Sequence, residues 1–247
     1  MASKKSTVIG HLKELRSRLF KSVIFLFIAF VVCYMFADKI YSFLLDPYVQ
    51  ATKNDVTQRR MIFTGLHETF LTYLKLSFFS AFCISFPIIL VQIWKFIAPG
   101  LYKDEKLALL PFLIATPILF ISGGMLVYYF IMPMAIKFFL SFETTAAMSG
   151  LPIQLEAKVD EYLSLITRLI FAFGLSFQLP VLLTLLGKVG FVNSDYLKKR
   201  RKYVIVIIFA AAAVLTPPDP ITQVGLALPL LLLYEVSIFT VRMVEKK

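Results

Sequence analysis

The sequence predicts an all-α polytopic membrane protein with about six transmembrane helices and both termini on the cytoplasmic side. Three observations carry that prediction. The 247 residues are 59% hydrophobic, with a mean hydropathy of +0.80. A soluble domain is roughly half apolar, so lipid must cover what a core of this size cannot hide. The apolar stretches are long and continuous rather than short and alternating. Only helices and closed barrels satisfy the backbone in hydrocarbon, and continuous runs select helices. Finally, lysine and arginine are distributed unevenly between the two sets of loops.

The first span, 19–36, follows a basic amphipathic segment, His11-Leu-Lys-Glu-Leu-Arg-Ser-Arg-Leu19. Spans at 69–99, 107–140 and 162–186 come next, in a single integral membrane domain covering 1–247. Two of these exceed the roughly 20 residues a crossing requires, so tilt, kinks or protruding ends are expected. Pro87, Pro117, Pro133 and Pro180 are the expected kink points, because proline removes a backbone donor and clashes with the preceding turn. The final pair, 203–215 and 221–241, is short. Thirteen helical residues reach about 20 Å against a hydrocarbon core of about 30 Å. Two spans in a thinned membrane or one re-entrant hairpin both fit, and both return the chain to the side it left.

Orientation follows from the loops. The N-terminus, the loops near 95–106 and 188–202, and the C-terminus hold 18 of the 26 basic residues. With acids included, that side carries about +13 and the other −3. The net charge of +11 is thus topological and requires no nucleic acid. Cys33 and Cys83 both lie in apolar runs and read as small buried hydrophobes rather than metal ligands or a disulfide framework. The first apolar run has no A-x-A-like site after it, so no cleavable signal peptide is expected.

Motifs for nucleotide, hydrolase or metal chemistry are absent from the sequence, which holds only His11 and His67. No cofactor or metal is implied, and nothing supports an enzyme. Polar groups within spans are the next candidates, since they cost free energy there. Lys75 is placed to snorkel to an interface. Arg168 lies about two turns into the fourth span, with Glu161 on the same face as a possible partner. Gln178 is deeper on that helix, and Glu235 is in the last span. For each, an interhelical hydrogen bond competes evenly with a ligand contact. On the basic side, Glu14 is placed for an i,i+4 pair with Arg18, and Glu105 for a helix cap. If the two carboxylates are close in space, they also suit a pair of guanidinium groups through charge-assisted, bidentate bonds.

Five stretches together resemble the TatC family, the multispanning core of the twin-arginine protein translocase. They are His11–Leu19, Phe86-Pro-Ile-Ile-Leu-Val-Gln-Ile-Trp94, Phe96-Ile-Ala-Pro-Gly-Leu-Tyr-Lys-Asp-Glu105, Ala172-Phe-Gly-Leu-Ser-Phe-Gln-Leu-Pro180 and Leu215-Thr-Pro-Pro-Asp-Pro-Ile-Thr-Gln223. They occur in family order across nearly the whole chain. The resemblance implies six spans in a concave, glove-like bundle in the bacterial inner membrane. It implies a receptor for twin-arginine signal peptides of folded cargo, an oligomer with single-span TatA- and TatB-type partners, and transport driven by the proton-motive force. By position it assigns Glu14 and Glu105 to the arginine pair, with Arg16, Phe96 and Tyr102 beside them. Pro47 and Pro87 become structural prolines, and Thr216, Asp219 and Gln223 a polar group where partner helices dock. Many members carry glutamate where this chain has Gln178, which cannot titrate. A small-solute transporter or channel is the alternative, though the sequence shows no internal repeat of the kind broken-helix transporters carry.

Overall fold

The computed structural model describes residues 2–52, 59–97, 110–144, 151, 153–216 and 219–245. Side chains are described from Gly10 onward, except those of His11, Trp94, Lys95, Ile97 and Leu110. The chain is helical almost throughout, and the described residues form only two isolated β-bridges and no strand. The helices are α1 (Ala2–Met35), α2 (Ala37–Thr52), α3 (Glu68–Ile97), α4 (Leu110–Leu126), α5 (Met132–Leu140), α6 (Val159–Ser176), α7 (Leu179–Lys188), α8 (Ser194–Leu215) and α9 (Pro220–Val244). Five helical stretches among the described residues are long and apolar enough to cross a membrane: Leu12–Met35, Glu68–Ile93, Pro111–Leu140, Val159–Lys188 and Pro220–Val244. Helix α8 differs because its first turns carry the run Lys198-Lys-Arg-Arg-Lys202 ahead of its apolar part.

The expected kink prolines behave in three ways. Helices α3 and α4 run on through Pro87 and Pro117. Ahead of Pro133 the chain widens into one π-turn, Val127–Ile131, closed by Met132 N–H donating to the Val127 carbonyl. A π-turn accommodates a register change without ending the helix. Before Pro180 the helix does end, and Pro180 starts α7, where a missing N–H costs nothing.

The chain forms two compact units, Met1–Ser42 with Phe70–Pro117, and Phe43–Thr69 with Ile118–Lys247. In the first, Ala29 and Cys33 of α1 meet Ala81 of α3, with Leu26, Phe30 and Ile40 packed around them. Small residues here allow close helix approach, which drives packing where lipid removes the hydrophobic incentive. Phe30 and Phe78 meet edge to face at 6.5 Å, and Tyr41 and Tyr73 at 5.7 Å.

In the second unit, α9 packs on α7 and α8 through Leu197, Tyr234, Ile238 and Val241. The Tyr234 hydroxyl donates to the Leu197 carbonyl at 2.8 Å, and Glu235 pairs with Arg201 at 2.6 Å. Between α7 and α8, Gly190 has φ +84°, and Phe191 N–H donates to Leu186 O at 2.9 Å. This is the glycine-based helix stop, which leaves a left-handed position that side chains avoid. Helices α4 and α6 approach closely. A Cβ on Gly123 would lie 2.8 Å from the Phe173 carbonyl oxygen, and one on Gly174 would lie 2.7 Å from the Phe120 ring.

Pro47, buried inside α2, has no N–H for the carbonyl four residues back, at Phe43. The Tyr128 hydroxyl supplies that missing donor at 2.8 Å, with its ring stacked on Phe43 at 4.6 Å. The buried Tyr162 hydroxyl likewise donates to Leu44 O at 2.9 Å. Loop segments are clamped to one another in the same unit. Arg59 donates to both carboxylate oxygens of Glu143, at 2.8 and 2.7 Å, and Glu143 also accepts Leu155 N–H at 2.8 Å. These bonds hold the Glu143 carboxyl below its ordinary range, the Arg59 contact being the main cause, against the opposing effect of burial.

Candidate functional site

The amphipathic start of α1 presents Leu15, Arg18, Leu19 and Ser22 at helical spacing, and α3 presents Ile89, Gln92, Ile93 and Phe96 at the same spacing. Residues at i, i+3, i+4 and i+7 share one helix face. The two faces enclose an open groove of about 340 Å³, apolar along most of its length. One polar pair breaks that surface. Arg18 Nη2 and Nε donate to Glu14 Oε1 at 2.5 and 3.1 Å, and Arg18 Nη1 approaches Gln92 Oε1 at 3.5 Å. Both members of the pair are only partly exposed, 33% for the Glu14 side chain and 24% for Arg18. Ser22, buried beneath, donates to the Arg18 carbonyl at 3.1 Å. The groove can therefore hold an apolar segment, and among the described residues the carboxylate beside it is that of Glu14, one of whose oxygens already accepts two Arg18 donors.

Of the residues expected from sequence, Phe96 is half-buried in the lining of this groove, and Glu14 is tied to it through its pair with Arg18. Arg16 is exposed and does not line it. Tyr102 and Glu105 lie outside the described residues, as does the His11 side chain. Gln92 was not singled out by the sequence reading. Its signal was present in the helical spacing that joins it to Ile89 and Phe96.

The polar group around α8 and α9 is largely engaged in ending and starting helices. Thr216 donates to Ala212 O at 2.9 Å as α8 stops. Asp219, buried, caps α9 by accepting Thr222 N–H at 2.7 Å, and its second oxygen takes the Thr222 hydroxyl. A side-chain acceptor at this position satisfies an orphan donor of the first turn. Gln223 reaches Phe209 O only at 3.5 Å and is half-buried. Gln178 Nε2 points to Gly174 O at 3.4 Å. Glu161, the expected partner of Arg168, pairs instead with Lys158 at 3.5 Å, since a neighbour at i−3 is closer than one two turns away. Lys75 is exposed.

The family model described as Sec-independent protein translocase protein (TatC) matches residues 10–229. The chain belongs to the TatC family. Relatives bearing the name Sec-independent protein translocase protein TatC agree. The one from Magnetococcus marinus is 48% identical over 243 residues, covering 98% of this chain and 86% of that protein. The one from Rickettsia prowazekii is 47% identical, covering 95% and 92%. A crystal structure titled Twin Arginine Translocase Receptor- TatC superposes with a TM-score of 0.79 at 36% identity, covering 95% of this chain and 99% of that one. A second, of the protein in DDM, gives 0.78 at 37% identity, covering 93% and 98%. This TatC-family chain is accordingly a multi-pass helical protein of the bacterial inner membrane and a core component of the Sec-independent twin-arginine translocase. The solute-transporter alternative finds no support among these relatives.

Proposed function

We propose that this chain is the signal-peptide receptor of its translocase, and that the groove between α1 and α3 receives the twin-arginine segment. The observation that carries the reading is the Glu14–Arg18 pair at the groove. Glu14 already binds one guanidinium through two donors, so an arginine of the peptide can replace Arg18 without the carboxylate ever being left unpaired. Gln92, next to Arg18, is positioned to take up the displaced side chain. Leu15, Leu19, Ile93 and Phe96 offer apolar contact to the hydrophobic part of the peptide. Arg16, Tyr102 and Glu105 join this site by family position, Glu105 as the second carboxylate. On this reading the basic loops and both termini are cytoplasmic, and α8 completes six spans. Gln223, the least firmly bonded of the polar group with Thr216 and Asp219, receives a TatA- or TatB-type helix. Transport of folded cargo by the assembled oligomer draws on the proton-motive force.

The test is site-specific cross-linking from positions 14 and 105 to a twin-arginine peptide, with a twin-lysine peptide as control. Cross-links to the arginine peptide alone are expected, and Glu14→Lys or Glu105→Lys should abolish binding while membrane insertion persists. Binding at the wild-type level in the doubly reversed protein refutes the assignment.

A further inference from the structure

Arg168 is a cation within the apolar stretch Val159–Lys188, exposed on the surface of α6, and no described residue makes an ion pair or hydrogen bond with it. A guanidinium inside hydrocarbon costs several kcal/mol unless it reaches a polar partner, so the position calls for a ligand.

Its depth shows which ligand it can reach. The charged residues Lys158, Asp160 and Glu161 sit at the start of α6, and Tyr162 follows. Arg168 is six residues beyond Tyr162, about 9 Å along the axis at 1.5 Å per residue. Helical side chains lean toward the helix N-terminus, so an extended arginine recovers most of that distance and brings its guanidinium to the level of lipid phosphates.

The surface above is shaped to receive more than bulk lipid. A crevice of about 230 Å³ lies between α5 and α6. Its walls include Ile136 and Phe139 from α5 and Tyr162 and Leu165 from α6, with Glu161 and Lys158 toward its rim. Glu161, Leu165 and Arg168 fall at i, i+4 and i+7, so the crevice and the arginine occupy one helix face. The Tyr48 hydroxyl, in the crevice wall, is buried and makes no hydrogen bond with any described residue. Below Arg168, Phe171, Leu175 and Leu182 continue an exposed apolar surface.

We propose that this face binds one phospholipid with an amine-bearing headgroup. The phosphate pairs with Arg168, the headgroup lies in the crevice with its ammonium toward Glu161, and the acyl chains follow Phe171 and Leu175. Above the guanidinium the crevice holds two carboxylates, Glu156 and Glu161, against one ammonium, Lys158, which pairs with Glu161 at 3.5 Å, so its net charge order matches that of ammonium and phosphate in such a lipid. A purely anionic headgroup would place negative charge against Glu161. The inference goes beyond the signal-peptide reading and uses none of its residues.

The full-length protein in detergent, titrated with phosphatidylethanolamine, phosphatidylcholine or phosphatidylglycerol, tests this by native mass spectrometry. One phosphatidylethanolamine should be retained in preference to the other two. Arg168→Gln should weaken that retention about tenfold, the effect of one lost charge-assisted hydrogen bond, and Arg168→Lys should restore part of it. Glu161→Gln should erase the preference for phosphatidylethanolamine over phosphatidylglycerol. Thermal unfolding of each variant, without lipid, reports whether it still folds, and twin-arginine peptide binding, measured separately, should not change. Equal retention of all three lipids, or retention indifferent to Arg168, overturns the proposal. So does a leucine-rich helical peptide with one glutamate that displaces the lipid from wild type when its glutamine version does not, because Arg168 would then serve a protein carboxylate.

Discussion

The hydroxyl of Tyr128 completes a helix that Pro47 leaves open, and this can be measured. Tyr128→Phe keeps the ring stacked on Phe43 at 4.6 Å and removes only the oxygen that donates to Phe43 O at 2.8 Å. The carbonyl at Phe43 then has no donor, because residue 47 is proline. Leaving a buried acceptor unmet costs about 1–3 kcal/mol, and interhelical bonds in membrane proteins average near 0.6 kcal/mol. The partly buried setting points to about 1 kcal/mol. Pro47→Ala restores an N–H that can donate to the same carbonyl. In that background Tyr128→Phe should cost little, giving a coupling of about 0.5–1 kcal/mol in a double-mutant cycle. Thermal or denaturant unfolding of the four proteins in one detergent provides the values. If Tyr128→Phe is equally costly with proline or alanine at 47, the hydroxyl is not standing in for the missing donor and the reasoning fails.

Two further predictions concern charge. If Arg18 holds the place of a peptide arginine, Arg18→Gln should tighten twin-arginine peptide binding about twofold. An i,i+4 pair of this kind is worth about 0.3–0.5 kcal/mol, the amount an incoming peptide no longer has to overcome. Weaker binding in a fluorescence titration would show that Arg18 supports the peptide instead of yielding to it. The Glu143 carboxyl, held low by Arg59 and Leu155 N–H, contributes stability above its ordinary value of 4.5 and loses it as pH falls through the lower folded value. Stability should therefore drop on the acid side of about pH 4.5 in wild type, and Glu143→Gln should lack that component. Parallel pH profiles of the two proteins would refute the clamp.

What the sequence made legible was local. The Glu14–Arg18 pair follows from a four-residue spacing, and the apolar runs follow from continuous hydropathy. Arg59 with Glu143, and Tyr128 with Phe43, are 84 and 85 residues apart. No periodicity connects such positions, so tertiary packing alone reveals them. The prolines show the same divide. Pro87, Pro117, Pro133 and Pro180 were readable as points of strain, but whether the chain runs on, widens into a π-turn or breaks there depends on neighbours far along the chain. Asp219 had a readable signal, an aspartate directly before a proline and an apolar run, which marks a helix start. The family position suggested docking instead, and the structure adds that its oxygens are already bonded.

The glycine contacts between α4 and α6 have a mechanical consequence. With Gly123 set against the Phe173 backbone and Gly174 against the Phe120 ring, the seam leaves no room for any side chain at either position. The pair must therefore move as one lever. Compliance is left to the interruptions beside the seam, the π-turn that begins at Val127 and the non-helical step at Phe177–Gln178. A displacement of this packed seam would be taken up first at those two interruptions.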